Sequence, residues 1–194
     1  MNRLILMTLL LAGSAAVAEP DPRIADGRAA AQELGGALKS VLLAAIEAGG
    51  PVSAISVCNA KAPQIAGVIS TRRGVEVGRT ALKVRNPANA PDTWERGVLE
   101  RFEQERADGA AVDTLEFAET VATDEGEVLR YMKAIPTGEV CLTCHGSELA
   151  PAVRERIAEL YPDDQATGFS AGDIRGAFTV SIPPVETTAG QDTL

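Results

Sequence analysis

Apolar residues in the first third of the chain recur at spacings of three and four. From Asp26 onward, Leu34, Leu38, Val41 and Ala45 line one stripe, and Leu42 and Ile46 widen it. That spacing predicts an amphipathic helix. Gly49 and Gly50 end it. Pro51 suits the first turn of a second helix, on which Val52, Ile55 and Cys58 share a face. Pro63 is expected to break or kink this helix. A further helical piece from Gln64 to Ser70 then closes at Arg72-Arg73-Gly74.

The period next changes to two. Val75 to Arg85 reads as a strand with Arg79, Lys83 and Arg85 on one face and Leu82 and Val84 on the other. Asn86-Pro87 and Asn89-Ala90-Pro91 are turn chemistry. Pro91-Asp92 opens a helix whose buried side is Trp94, Val98, Leu99 and Phe102, and Asp108-Gly109 ends it. Leu115 to Val121 and Val128 to Ile135 flank a polar Asp124-Glu125-Gly126 turn and are expected to pair as a hairpin. Pro136-Thr137-Gly138 opens a cysteine-bearing loop, and Pro151 starts a helix through Leu160. The last strand sets Ile174, Gly176, Phe178, Val180 and Ile182 on one face and Arg175, Thr179 and Ser181 on the other, until Pro183-Pro184 stops it. Strands joined by hairpins and separated by helices point to an α+β fold, an antiparallel sheet flanked by helices. No internal repeat or second domain is visible, so residues 19–183 form one expected domain with a polar tail over 184–194.

Composition changes the picture at the start of the chain. Arg3, a largely apolar run from Leu4 to Leu11 and the small-x-small site Ala16-Val17-Ala18 read as a secretory signal peptide over residues 1–18. An uncleaved anchor is the alternative. No other apolar run approaches spanning length. The expected product is exported, periplasmic and soluble, without stable membrane insertion after cleavage. Loss of Arg3 takes the formal charge from -9 to -10. Such a balance argues against nucleic acid as a partner. It leaves a redox or signalling protein, of basic surface if charge guides the encounter.

Three cysteines and one histidine carry the candidate chemistry. Cys141-Leu142-Thr143-Cys144-His145 is the attachment signature of a c-type haem: two thiols for two vinyl groups and an adjacent imidazole for the iron. Export strengthens this reading, because bacterial haem attachment takes place outside the cytoplasmic membrane. A thioredoxin-like CxxC would stand at a helix start within a βαβ unit, which the pattern lacks. A zinc site drawn from Cys58, Cys141, Cys144 and His145, or a CxxC disulfide, are the other uses. Adjacent Cys144 and His145 fit poorly at two corners of one tetrahedron.

One covalent haem c per chain leaves the second axial position to assign. There is no second histidine, and Met1 and Met7 leave with the signal peptide. Met132 and Cys58 remain, the first in a strand, the second an unpaired thiol on an apolar helix face. Arg79 and Arg85 are candidate partners for the propionates, because a guanidinium binds carboxylate bidentately. There is no Ser/His/Asp set and no phosphate-binding glycine loop, so no catalytic residue is assigned.

Several stretches resemble the Tll0287-like family, formerly DUF3365. They are Val57-Cys58 with Ala62-Pro63 and Ile65-Ala66; Gly78-Arg79-Thr80 through Arg85-Asn86-Pro87 to Asn89-Ala90-Pro91; Trp94-Glu95; Ala134-Ile135 before the CLTCH; Tyr161-Pro162 with Ala166-Thr167-Gly168; and Gly172-Asp173-Ile174-Arg175-Gly176. They run in order across residues 50–182. The resemblance implies a PAS-like fold with one covalent c-type haem, His145 as proximal ligand and Cys58 as distal thiolate. It also implies a sensor role, exercised through a separate partner because no kinase or output domain is visible. The readings are therefore a redox- or gas-responsive sensor module, a small electron-transfer cytochrome, and a haem enzyme acting on a small molecule.

Overall fold

The computed structural model describes residues 21–124 and 126–184. The expected signal peptide and the tail from 185 onward lie outside the described residues. Helix α1 (Arg23–Arg73) leads into strand β1 (Glu76–Thr80), then α2 (Thr93–Ala107), β2 (Glu116–Thr123), β3 (Gly126–Pro136), α3 (Glu139–His145), α4 (Pro151–Leu160) and β4 (Ile174–Ile182). The four strands form one sheet in the order β1-β4-β3-β2, antiparallel throughout. The expected α+β class, an antiparallel sheet flanked by helices, is what folds.

The sheet separates two cores. On one face Val77, Leu129, Tyr131, Val180 and Ile182 pack under Ala30, Ala31, Leu34 and Ile69 of α1. On the other, Met132, Ala134 and Ala177 meet Val98, Leu99 and Phe102 of α2. Burying that apolar surface is what fixes the helices to the sheet. Helix α2 starts where the sequence places it: Asp92 accepts from the Glu95 backbone N–H, and Glu95 reaches back to the Asp92 N–H.

Four expectations need correction. The helical pieces between Asp26 and Ser70 run as α1, interrupted at Gly49 and Gly50 alone, where φ reaches -156° and 70°. Pro63 does not break it. A proline removes one backbone hydrogen bond, and Ile65, Ala66 and Ile69 just beyond it are held against the sheet core. The expected strand Val75–Arg85 ends at Thr80, so Lys83 and Arg85 lie beyond the sheet. Residues 139–145 are a helix rather than a loop. The CxxC therefore does stand near a helix start. Its flanking strands β3 and β4 are antiparallel neighbours, however, and not the parallel pair of a βαβ unit.

The fourth correction concerns β4. Ile135 pairs with Gly176 and Pro136 with Ile174, so Arg175 is an extra, unpaired residue in a β-bulge. The bulge reverses the alternation beyond it. Ile174 joins Ala177 in the α2 core instead of Val180 in the α1 core. Gly176 sits at φ 151°, and a Cβ there would lie 2.4 Å from the Thr80 carbonyl oxygen, so only glycine fits this crossing.

Helix α1 is long and apolar enough, by length and composition, to cross a membrane, although the sequence shows no unbroken apolar run of that length. Glu47 and the Gly49-Gly50-Pro51 break interrupt it, and parts of it are committed to the sheet.

Candidate functional site

Cys141 and Cys144 lie three residues apart on α3 and so face the same way. Neighbouring backbone holds the far end of this short helix. The Phe169 N–H donates to the His145 carbonyl at 3.0 Å, and the Gly168 N–H donates to the Gly146 carbonyl at 3.1 Å. Arg85 Nη2 donates to the Cys144 carbonyl at 2.7 Å and to the Ala166 carbonyl at 3.1 Å, while its Nε–Nη2 edge forks onto Asp164 at 2.9 and 3.0 Å. Arg85 is thus a clamp between α3 and the segment after α4. Its fork is engaged, which leaves the expected propionate role to other cations. The reason is local: the strand stops at Thr80, and the chain turns towards residues 164–166, where the Gln165 N–H meets the Val84 carbonyl at 2.9 Å.

His145 is oriented by a single bond. Its Nδ1 lies 2.7 Å from the Ala166 carbonyl oxygen, which can only accept. The proton is therefore on Nδ1 and the lone pair is on Nε2. The imidazole is held neutral, with its pKa down at about 2, chiefly by burial and then by the charges of Arg175 and Arg85. Phe169 meets the ring edge-on, with centroids 6.1 Å apart.

Cys58 approaches from α1. Ile55, one turn earlier, packs in a cluster with Cys144, Tyr161, Val153 and Ile157. Burial raises the Cys58 thiol, and the nearby Arg79 pulls it down. Burial also raises the Cys144 thiol; Arg85 opposes this and a charge on Cys58 adds to it. The structure thus brings Cys58, Arg79 and the CxxCH helix to one place. Met132 is 0 % exposed in the α2 core, in a cluster that includes neither Cys144 nor His145.

Sequence reasoning missed Arg175. Its Nε lies 3.4 Å from His145 Nε2. Its pKa falls to about 10 through burial and the positive charges of Arg85 and Arg79. Simple alternation places it on the face away from Val180, and the bulge that re-aims it has no signature in a period-two pattern. Only its place in the Gly172–Gly176 motif marked it. Asp164 and Ala166 were also missed as parts of the site, although Ala166 stood in a quoted motif.

These residues fit a c-type haem. Two thiols share a helix face, an imidazole presents an unprotonated Nε2, and a third thiol, Cys58 on α1, is near enough for its charge to act on Cys144. Among the described residues no group of three or more His, Cys, Asp or Glu side chains converges to hold a bare metal ion. Arg79 and Arg175 are partly buried and pair with no carboxylate among the described residues, as cations awaiting an anionic edge would be.

The family model for Tll0287-like proteins matches residues 13–183. The chain belongs to the Tll0287-like family. A solved structure described as the cyanobacterial heme-protein Tll0287 superposes with a TM-score of 0.65 at 28% identity, covering 86% of this chain and 98% of that one. No curated protein matches. The Tll0287-like match spans both the Cys58 helix and the CxxCH helix, so both halves of the candidate site lie within the region the family shares.

Proposed function

We propose that the chain is an exported protein carrying one covalent haem c, and that it works as a redox- or gas-responsive sensor module. One observation carries this reading most: the CxxCH helix presents His145 with its Nδ1 proton committed to Ala166, which leaves Nε2 unprotonated and able to take iron once Arg175 turns away. The kinship with a heme-protein of known structure supports it. Cys141 and Cys144 would form the thioethers, and His145 and Cys58 would hold the iron. The haem would supply a one-electron redox centre.

This chain's residues do the rest. Ala166 sets the tautomer and the angle of the imidazole, and a hydrogen-bonded ligand ring binds more strongly. Arg85 and Asp164 lock the segment that carries Ala166. Burial raises the Cys58 thiol on balance, and the positive charge of Arg79 offsets part of that rise in favour of the thiolate. A thiolate ligand lowers the potential relative to a thioether. A second protein ligand would compete with any substrate for the iron, which favours a sensor or carrier over an enzyme. A thiolate bond that weakens on reduction would make the module responsive.

The test is expression with a haem-maturation system, followed by a pyridine haemochrome assay and ferric and ferrous spectra. Covalent haem is expected, together with a thiolate-type ferric spectrum that Cys58→Ala abolishes and Met132→Ala leaves unchanged. Absence of covalent haem overturns the proposal. A spectrum altered by Met132→Ala alone moves the assignment to an electron-transfer cytochrome.

A further inference from the structure

Behind Arg175 lies a cavity of about 330 Å³, on the side of the site where α2 faces the start of β4. Leu82, Leu99, Phe169 and Ile174 make it apolar in part. Five charged side chains line it. Arg106 pairs with both Glu103 at 3.1 Å and Asp173 at 3.4 Å, so these two acids are engaged on one cation, and Lys83 with Arg175 leaves the lining with one net positive charge. The other two, Lys83 and Arg175, have no carboxylate partner among the described residues. Lys83 donates to the Thr167 carbonyl and Arg175 Nη1 to the Lys83 carbonyl, each at 3.4 Å. Both cations sit over the Phe169 ring, 5.0 and 5.4 Å from its centroid.

The Arg175 position also cannot persist in a ligated protein. Its Nε donates towards His145 Nε2, and Nε2 has one lone pair. A guanidinium N–H and a metal cannot both take it. Arg175 has to turn away, and little holds it where it is.

We propose that this cavity is a carboxylate-binding site, with Arg175 as its anchor and Lys83 as its second cation, and that Arg175 leaves His145 for that carboxylate when the imidazole takes iron. The movement of Arg175 rests on the haem reading above; the site itself does not. The chemistry is a carboxylate on an apolar body, matched by a guanidinium fork, an ammonium and an aromatic floor. Two sources share it: a propionate of the chain's own haem, or a free small acid.

Benzoate titration by calorimetry separates them. It is run on the haem-loaded protein and on a haem-free Cys141→Ala/Cys144→Ala chain. Binding only to the haem-free chain means that a propionate fills the site in the loaded protein. Binding to the loaded protein means that a free acid is the ligand. In either case Arg175→Gln weakens binding at least about tenfold, the loss of a charged hydrogen bond, and Lys83→Gln weakens it by less. Binding to neither form, or affinity unchanged in both variants, overturns the proposal. If the haem-free chain does not fold, the reduction potential of the loaded protein decides the propionate arm. Arg175→Gln lowers that potential, because a cation beside the haem is lost; an unchanged potential with no benzoate binding again overturns the proposal. The pyridine haemochrome reading on the same preparation reports separately whether the haem assignment itself fails.

Discussion

Removing the Arg85 guanidinium would leave the Asp164 carboxylate buried with no opposite charge and only the Ala166 N–H to meet it, since the two side chains are only 11% and 8% exposed. A broken buried pair of this kind costs about 3–5 kcal/mol. Arg85→Met is expected to lower stability by that amount in urea unfolding. Arg85→Lys should recover only part of it, because an ammonium cannot span Asp164 and two carbonyls with a planar fork. At this scale the sequence singled out Cys141, Cys144 and His145 by spacing, and left Cys58 and Met132 as alternatives between which only the resemblance chose. It put Arg79 on a strand face as a propionate candidate and did not place it beside Cys58. The work of Arg85 and Arg175 was hidden, since each depends on a chain reversal that side-chain patterning does not record.

Elements were legible where one periodicity ran unbroken. Helix α2, helix α4 and the β2–β3 hairpin follow directly from apolar spacing and turn chemistry. The exceptions are places where tertiary contacts overrode local signals, as at Pro63 within α1 and at the Thr137-Gly138 entry to α3. The bulge in β4 is the most consequential of these. Substituting Gly176 by alanine would drive a Cβ against the Thr80 carbonyl and to 2.9 Å from the Ala81 Cβ. Both neighbours belong to the adjoining backbone, which cannot yield without parting β1 from β4. Gly176→Ala is expected to destabilise by about 2 kcal/mol or more and to disturb the Arg175 position. Gly50→Ala, whose new Cβ meets nothing, would be strained by the backbone alone, since φ 70° with ψ -177° is a region that essentially only glycine occupies, and should cost about 1–3 kcal/mol. Urea midpoints of the two variants, with hydrogen exchange on β1, check both expectations.

For the whole molecule, acid is the expected route to unfolding. The Arg28 hydrogen bond holds Glu116 below its ordinary value of 4.5, and Glu116 also accepts from the Tyr131 hydroxyl at 2.8 Å. Arg23 lowers Asp21; burial raises Asp92, but its bonds from Glu95 and Arg130 outweigh that and leave it lowered. A carboxyl with a depressed folded pKa contributes stability above its unfolded value, and that contribution is lost as pH falls through the folded value. Stability should therefore fall as pH drops below 4.5, and Glu116→Gln should flatten part of that slope. Solvent screening on the exposed Arg28 side keeps the effect modest. Urea midpoints across that range measure it.

The position of β4 also sets an order in time. It is the last described strand, yet it lies inside the sheet, bonded to both β1 and β3. Until Ile174–Ile182 is in place, β1 has no neighbour, and the sheet is a hairpin with a stray edge. Pairings this distant along the chain close slowly, because the loop must be brought together before any contact rewards it. The α3 helix waits on the same event, since the Thr137 N–H bonds to the Asp173 carbonyl just ahead of β4. The CxxCH segment is therefore expected to stay loose and reachable until β4 has docked, and that interval is the window in which its two thiols would be open to modification.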